Sequence, residues 1–112
     1  MKFVPTVAGQ QAEQLVADYL TQEGFRIIGQ NWKTTICEID IVSQRDDVIY
    51  FVEVKYRGST SQGDGFDYIG RQKIKQMEFA ARVWCQANEW AGDYRLVAAA
   101  VSDGDVELIE LS

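Results

Sequence analysis

The chain contains no histidine among its 112 residues. Zinc ligation by imidazole and histidine-based general acid–base catalysis are therefore excluded, and any hydrolysis must rest on carboxylates, lysine, tyrosine or metal-bound water. Cysteine is scarce too: Cys37 and Cys85 are too few for a disulfide framework and lack paired metal spacing. Both are expected as small core or half-buried residues. No segment approaches the ~18 consecutive apolar residues that a membrane span requires. The first residues, Met-Lys-Phe-Val-Pro-Thr-Val, are too short an apolar run for a signal peptide. The expectation is a cytoplasmic protein with no membrane partner.

Basic residues are also in deficit. Eleven Lys and Arg face seventeen Asp and Glu, a net charge of −6. Neutralising nucleic-acid phosphates calls for clustered Lys and Arg, so the overall balance opposes tight, non-specific duplex binding. The distribution is uneven, however. Lys55, Arg57, Arg71, Lys73, Lys75 and Arg82 gather in mid-chain, whereas the last ten residues carry Asp103, Asp105, Glu107 and Glu110 and no basic group. A locally positive rim around an acidic pocket is compatible with that pattern, and it predicts weak, salt-sensitive or short-substrate binding.

The remaining composition, 46% hydrophobic and 25% charged, is that of an ordinary soluble globule. The length suits one domain over 1–112 with a single core. Apolar residues at helical spacing predict a helix from Val7 to Glu23, stopped by Gly24. Phe25 to Trp32 reads as a strand. Gly58 to Asp67, with three of the nine glycines, reads as a loop. Ile74, Met77, Ala81, Trp84 and Cys85 mark a second amphipathic helix over Ile69–Asn88. Tyr94–Val101 and Val106–Leu111 read as strands joined by the turn signal Ser102-Asp103-Gly104-Asp105.

The informative stretch is Cys37 to Arg57, two alternating runs joined by a polar turn, hence a β-hairpin. Side chains two apart share a face. Ile39, Ile41, Val52 and Val54 are thus expected on one face, and Glu38, Asp40, Glu53 and Lys55 on the other. With Asp46-Asp47 as a two-residue turn, Arg45 pairs with Val48, Asp40 lies opposite Glu53, and Glu38 opposite Lys55. A four-residue turn would instead set Asp40 opposite Phe51, with Glu53 one diagonal step away on the same face. Opposed side chains stand about 5 Å apart at Cβ, and opposed like charges destabilise a sheet. A cation between Asp40 and Glu53 removes the conflict, and Mg²⁺ or Mn²⁺ suits oxygen ligands of this kind. The alternative is an exposed hairpin whose charges are merely solvated. Against it, Val48-Ile49-Tyr50-Phe51-Val52 is apolar on both faces, as an interior strand would be.

An Asp followed after a strand and turn by Glu-x-Lys resembles the PD-(D/E)XK nuclease superfamily. More narrowly, Glu38-Ile39-Asp40 and Phe51-Val52-Glu53-Val54-Lys55-x-Arg57 resemble the YraN-like family of small uncharacterised bacterial proteins. Gly9, Glu13, Ala17, Tyr19-Leu20 and Asn31-Trp32 match that family's pattern in order, and Lys73 and Met77 fit the start of its second helix. The likeness covers roughly residues 9–101. Cys37, Ala12 and Leu96-Val97 depart from the pattern without removing a carboxylate. The resemblance implies a restriction-endonuclease-like α/β fold, in the order α-β-β-β-α-β-β with a mixed central sheet. It also implies metal-dependent cleavage of DNA or RNA. Asp40, Glu53 and a backbone carbonyl near Val54 would hold the metal, with Glu13 as a further ligand, and Lys55 would position or deprotonate water.

Each candidate has a plainer reading. Glu13 is either a solvated helix glutamate or faces the metal pocket. Glu38 is either a ligand or a partner that holds Lys55, the second being favoured. Arg57 and Lys73 either touch phosphate or are solvated. Gln72 and Gln76 either orient water or touch a phosphate, or do neither. Trp32, Trp84 and Trp90 either stack on bases or belong to core and rim, Trp84 lying on its helix's apolar stripe. Two functional alternatives stand beside the nuclease. One is an idle nuclease-fold module that binds a protein or a nucleic-acid junction. The other is a structural subunit associating through the second helix. A homodimer would suit an enzyme acting on both strands.

Overall fold

A computed structural model describes residues 7–56 and 69–111. The expected loop at Gly58–Asp67, and Arg57 with it, lie outside the described residues. Helix α1 (Val7–Gln22) is followed by strands β1 (Arg26–Lys33), β2 (Glu38–Arg45) and β3 (Val48–Tyr56). Helix α2 (Arg71–Ala87) then precedes β4 (Asp93–Ser102) and β5 (Asp105–Glu110). The order is the one expected from the sequence, with ends shifted by one or two residues. Among the described residues, no helix is long and apolar enough to cross a membrane.

Local chemistry accounts for the boundaries. α1 ends in a Schellman motif: the Phe25 N–H reaches back to the Leu20 carbonyl at 2.9 Å and the Gly24 N–H to Thr21 at 3.1 Å. Gly24 supplies the left-handed backbone, φ +92°, that this stop requires. α2 closes in the same way, with the Trp90 N–H on the Cys85 carbonyl and Glu89 at φ +53°. The β4–β5 hairpin turns on Asp103 and Gly104, both with positive φ, the two-residue geometry that suits the twist of antiparallel strands.

The five strands form one sheet in the order β1-β2-β3-β4-β5. β3 and β4 are parallel and the other neighbours antiparallel. α2, between β3 and β4 in the chain, supplies the crossover that a parallel pair needs. One helix covers each face. Ala12, Val16, Ala17 and Leu20 of α1 pack on Ile41, Val52, Val97, Ala99 and Val101. Met77, Ala80, Ala81 and Trp84 of α2 pack on Ile39, Val42, Ile49, Phe51 and Leu96. β3 is central, which explains why its run is apolar on both faces. Tyr94 donates its hydroxyl to Glu78, tying β4 to α2 beside that layer.

Phe51 anchors the α2 layer. It is 1% exposed and meets Trp84 and Tyr94 edge-on, with centroids 5.5 and 5.6 Å away. Phe51→Ala is expected to cost about 3–5 kcal/mol by loss of buried area and cavity formation. Urea unfolding measures this, and a cost below about 1 kcal/mol would show that the layer is not held by Phe51.

Candidate functional site

The hairpin register is the expected one at its turn: Arg45 pairs with Val48 and Ile41 with Val52. There the β2–β3 ladder ends, one pair short of Asp40 and Glu53. In place of a backbone partner, the Val54 N–H donates to Asp40 Oδ2 at 2.8 Å. β2 beyond this point continues only with β1, through Trp32 opposite Ile39 and Lys33 opposite Glu38. The two central strands therefore fork, with Asp40 at the crotch.

β1 is irregular at the same level. Register there is the same on both sides of the break, Gln30 with Ile41 and Trp32 with Ile39, leaving Asn31 and Asp40 as the intervening pair. Asn31 sits at φ +53°, a conformation that asparagine tolerates better than most residues and that clusters at functional sites. The pleat is broken there. Ile39 consequently packs in the α2 layer with Trp32 and Met77, whereas Ile41, two residues on, packs beneath α1. The expectation that Ile39 shares a face with Ile41, Val52 and Val54 is thus corrected, because strict alternation holds only while the strand is regular.

Glu53 and Lys55 lie on β3 with Phe51's parity, on the α2 side. Glu53 is bound by Lys73, whose Nζ lies 3.2 Å from Oε2. Glu38 does not hold Lys55, as had been expected. It pairs weakly with Lys33 at 4.0 Å, directly across β1, where both side chains are well exposed. Lys55 is half-buried and, among the described residues, makes no ion pair.

Charge concentrates at the fork. Asp40 is pushed up to about 6 by its burial and then by the negative charge of Glu53; the Val54 N–H and the more distant Lys73 ammonium oppose this. Glu13, reaching in from α1, is also raised, by burial and then by Asp40, while a hydrogen bond from Asn31 pulls it down. Asp40, Glu53 and Glu13 are thus brought into one electrostatic neighbourhood. Among the described residues, no three carboxylates or thiols converge into a ready-made ligand set. The oxygen donors that do meet at the fork, Asp40 and Glu53, are of the hard type that suits Mg²⁺ or Mn²⁺.

A groove of about 440 Å³ opens beside Glu53, lined also by Ile36, Cys37, Glu38, Lys73, Lys75, Gln76, Met77 and Phe79; Asp40, Lys55 and Glu13 do not line it. Gln76 lines this groove; Gln72 is exposed and does not. None of the tryptophans is displayed as a stacking platform. Trp84 is 7% exposed in the core, Trp32 is half-buried on the α2 layer, and the Trp90 indole donates to the Asp93 carbonyl at 3.0 Å. A subunit contact through Trp84 is therefore not available. Two contributors escape the hairpin argument, Asn31 and the Val54 N–H. The signal for Asn31 is its place in the Asn-Trp pair of the quoted pattern; the Val54 N–H, a backbone group, leaves none.

Comparison with known proteins bears out the narrower of the two resemblances, the family one. Residues 12–106 match the pattern described as uncharacterised protein family UPF0102, which is the YraN-like family. The chain is 35% identical over 98 residues to a UPF0102 protein of Vibrio campbellii, covering 85% of this chain and 80% of that one. A UPF0102 protein of an Arthrobacter species is 36% identical over 98 residues, covering 86% and 83%. One from Pseudomonas putida is 36% identical over 90 residues, covering 80% and 73%.

The raised Asp40 fixes a pH dependence. Its carboxyl titrates near 6 when folded and near 3.9 when unfolded, so between those values the folded chain holds the extra proton. Stability then falls as pH rises from about 4 to about 6 and stays lower above. Asp40→Asn keeps an acceptor for Val54 and removes the charge. In chelator at pH 7.5 it is expected to be more stable by about 1–2 kcal/mol, several degrees in Tm, a gap that closes near pH 4. Thermal melts across pH check this; a gap independent of pH would show that Asp40 is not strained by its charge.

Proposed function

This chain belongs to the uncharacterised protein family UPF0102, and from that starting point we propose that it is a metal-dependent nuclease hydrolysing phosphodiester bonds in DNA or RNA. The observation that carries the reading is the meeting of Asp40 and Glu53 at a fork in the sheet, with Lys55 two residues further along the strand that presents Glu53. Asp40 and Glu53 stand just past the last β2–β3 pair, and the charge of Glu53 works against ionisation of Asp40, a conflict that a shared cation would relieve.

Asp40 and Glu53 would hold Mg²⁺ or Mn²⁺, with a backbone carbonyl near Val54 and Glu13 as nearby oxygen donors. When bound, such an ion supplies a Lewis acid that acidifies water and offsets phosphate charge. Asp40 is itself oriented by the Val54 N–H, so its carboxylate is fixed before any ligand arrives. Lys55 holds or deprotonates the attacking water and offers positive charge to the phosphate as the bond to the leaving oxygen breaks. Lys73, Lys75 and Gln76 line the groove through which the substrate backbone would pass, and Gln72 and Arg57 extend the candidate contacts along the chain. A net charge of −6 confines the substrate to short or structured nucleic acid bound in a salt-sensitive way.

The Glu53–Lys73 ion pair favours a second reading. With Glu53 already paired, the site would be idle and the fold would serve as a binding module for a protein or a nucleic-acid junction.

Two measurements decide. Asp40→Ala and Lys55→Ala are each expected to reduce cleavage of labelled DNA and RNA oligonucleotides by at least ~100-fold, with the folded far-UV spectrum retained. Undiminished cleavage in either variant removes the role assigned to that residue. Millimolar Mn²⁺ is expected to raise the wild-type melting temperature by several degrees, since saturation ~100-fold above Kd adds about 2.7 kcal/mol. An unmoved melt favours the idle module.

A further inference from the structure

Lys73 stands where a bound cation would act. Its Nζ lies 3.2 Å from Glu53 Oε2, and Glu53 is the better buried partner, 17% exposed at the side chain against 37% for the lysine. A half-buried carboxylate needs a compensating charge more than a lysine with access to water does. Lys73 also reaches Asp40 electrostatically and works against its unfavourable interaction with Glu53. The lysine is carried on α2, the carboxylates on β2 and β3, so its position is set by a flexible four-carbon stem rather than by the sheet. Its neighbour Lys75 lines the same groove, and among the described residues it makes no ion pair with Glu53.

We propose that Lys73 is an internal counter-ion that competes with the divalent metal for Glu53, so that metal entry releases the lysine into the groove. This rests on the metal-dependent reading above. With the ion absent, Lys73 neutralises Glu53 and holds the site closed to other cations. With the ion present, Glu53 needs its oxygens for the metal, and the freed ammonium faces the substrate groove as a phosphate contact. One residue thereby couples metal loading to substrate affinity, and the coupling is reciprocal for the two ligands.

Competition of this kind raises the apparent metal Kd by the reciprocal of the fraction in which Glu53 is free. Lys73→Met is expected to tighten Mn²⁺ binding, measured by calorimetry on the full chain, by roughly tenfold if the pair is closed about nine-tenths of the time. Lys75→Met removes the same charge from the same groove without touching Glu53. It is expected to change Kd by no more than about twofold at 0.15 M salt, where exposed charges are screened. Equal effects of the two substitutions would reduce Lys73 to a general charge and overturn the proposal, as would an unchanged Kd in Lys73→Met. Absence of Mn²⁺ binding in both wild type and Lys73→Met would overturn the metal-dependent reading itself; binding that emerges only in Lys73→Met would support competition. The wild-type chain gives an independent test. Acylation of Lys73 by an amine-reactive ester, followed by peptide mass analysis, is expected to accelerate on adding Mn²⁺ while Lys75 does not change. A Lys73 rate indifferent to a saturating metal would likewise overturn the proposal.

Discussion

One hydrogen bond organises the centre of this molecule: Asp40 Oδ2 accepts the Val54 N–H. A backbone donor in a central strand would ordinarily be matched by a backbone carbonyl of its neighbour. Here a carboxylate takes that place, and the β2–β3 ladder stops at Ile41 and Val52. The strands can then part without leaving the Val54 donor unsatisfied. β2 follows β1 alone, Asn31 absorbs the bend in left-handed backbone, and Ile39 turns into the α2 layer. Remove the Asp40–Val54 bond and the fork has no reason to open where it does.

The site is costly in free energy, and the fold is arranged so that the cost falls on few bonds. Asp40 is held half-buried against the charge of Glu53, with Glu13 close enough to feel both burial and Asp40. The strand that carries Glu53 and Lys55 is the most supported element in the sheet. β4 runs parallel beside the whole of β3, and its Leu96–Val101 stretch is buried from end to end. α1 and α2 close opposite faces of this pair. Glu53 and Lys55 are thus carried on the best-supported strand, whereas Asp40, whose charge is disfavoured, lies on β2 just past the end of its pairing with β3.

What the sequence discloses, and what it hides, divides along physical lines. Local chemistry is legible. Gly24 ends α1, Asp103-Gly104 makes a tight hairpin, and a two-residue turn at Asp46-Asp47 fixes Arg45 opposite Val48. The same register argument places Asp40 and Glu53 near one another. It fails where it presumes an unbroken ladder: Ile39 changes face, and Glu38 finds Lys33 on the neighbouring strand instead of Lys55. Nothing in a period of two can announce that a side chain will replace a backbone partner. The Lys73–Glu53 pair is illegible for another reason. It joins residues of α2 and β3 that come together only when the crossover packs on the sheet.

Charge arithmetic at the fork points in one direction. Asp40 and Glu53 share one close ammonium, that of Lys73, which lies 3.2 Å from Glu53; among the described residues Lys55 makes no ion pair with either, so Asp40 is left without a paired cation. Glu13 on the α1 side adds to that deficit when ionised, and Asn31 offers it only a neutral donor. A monovalent group anchored on α2 can reach Glu53 closely but Asp40 only at longer range, so it cannot balance both. Under the proposed metal-dependent reading, a small dication would carry twice the charge and take the oxygen donors of Asp40 and Glu53 together. Lys73 thus neutralises Glu53 without reaching Asp40 as closely, and that gap is the one the proposed dication would fill.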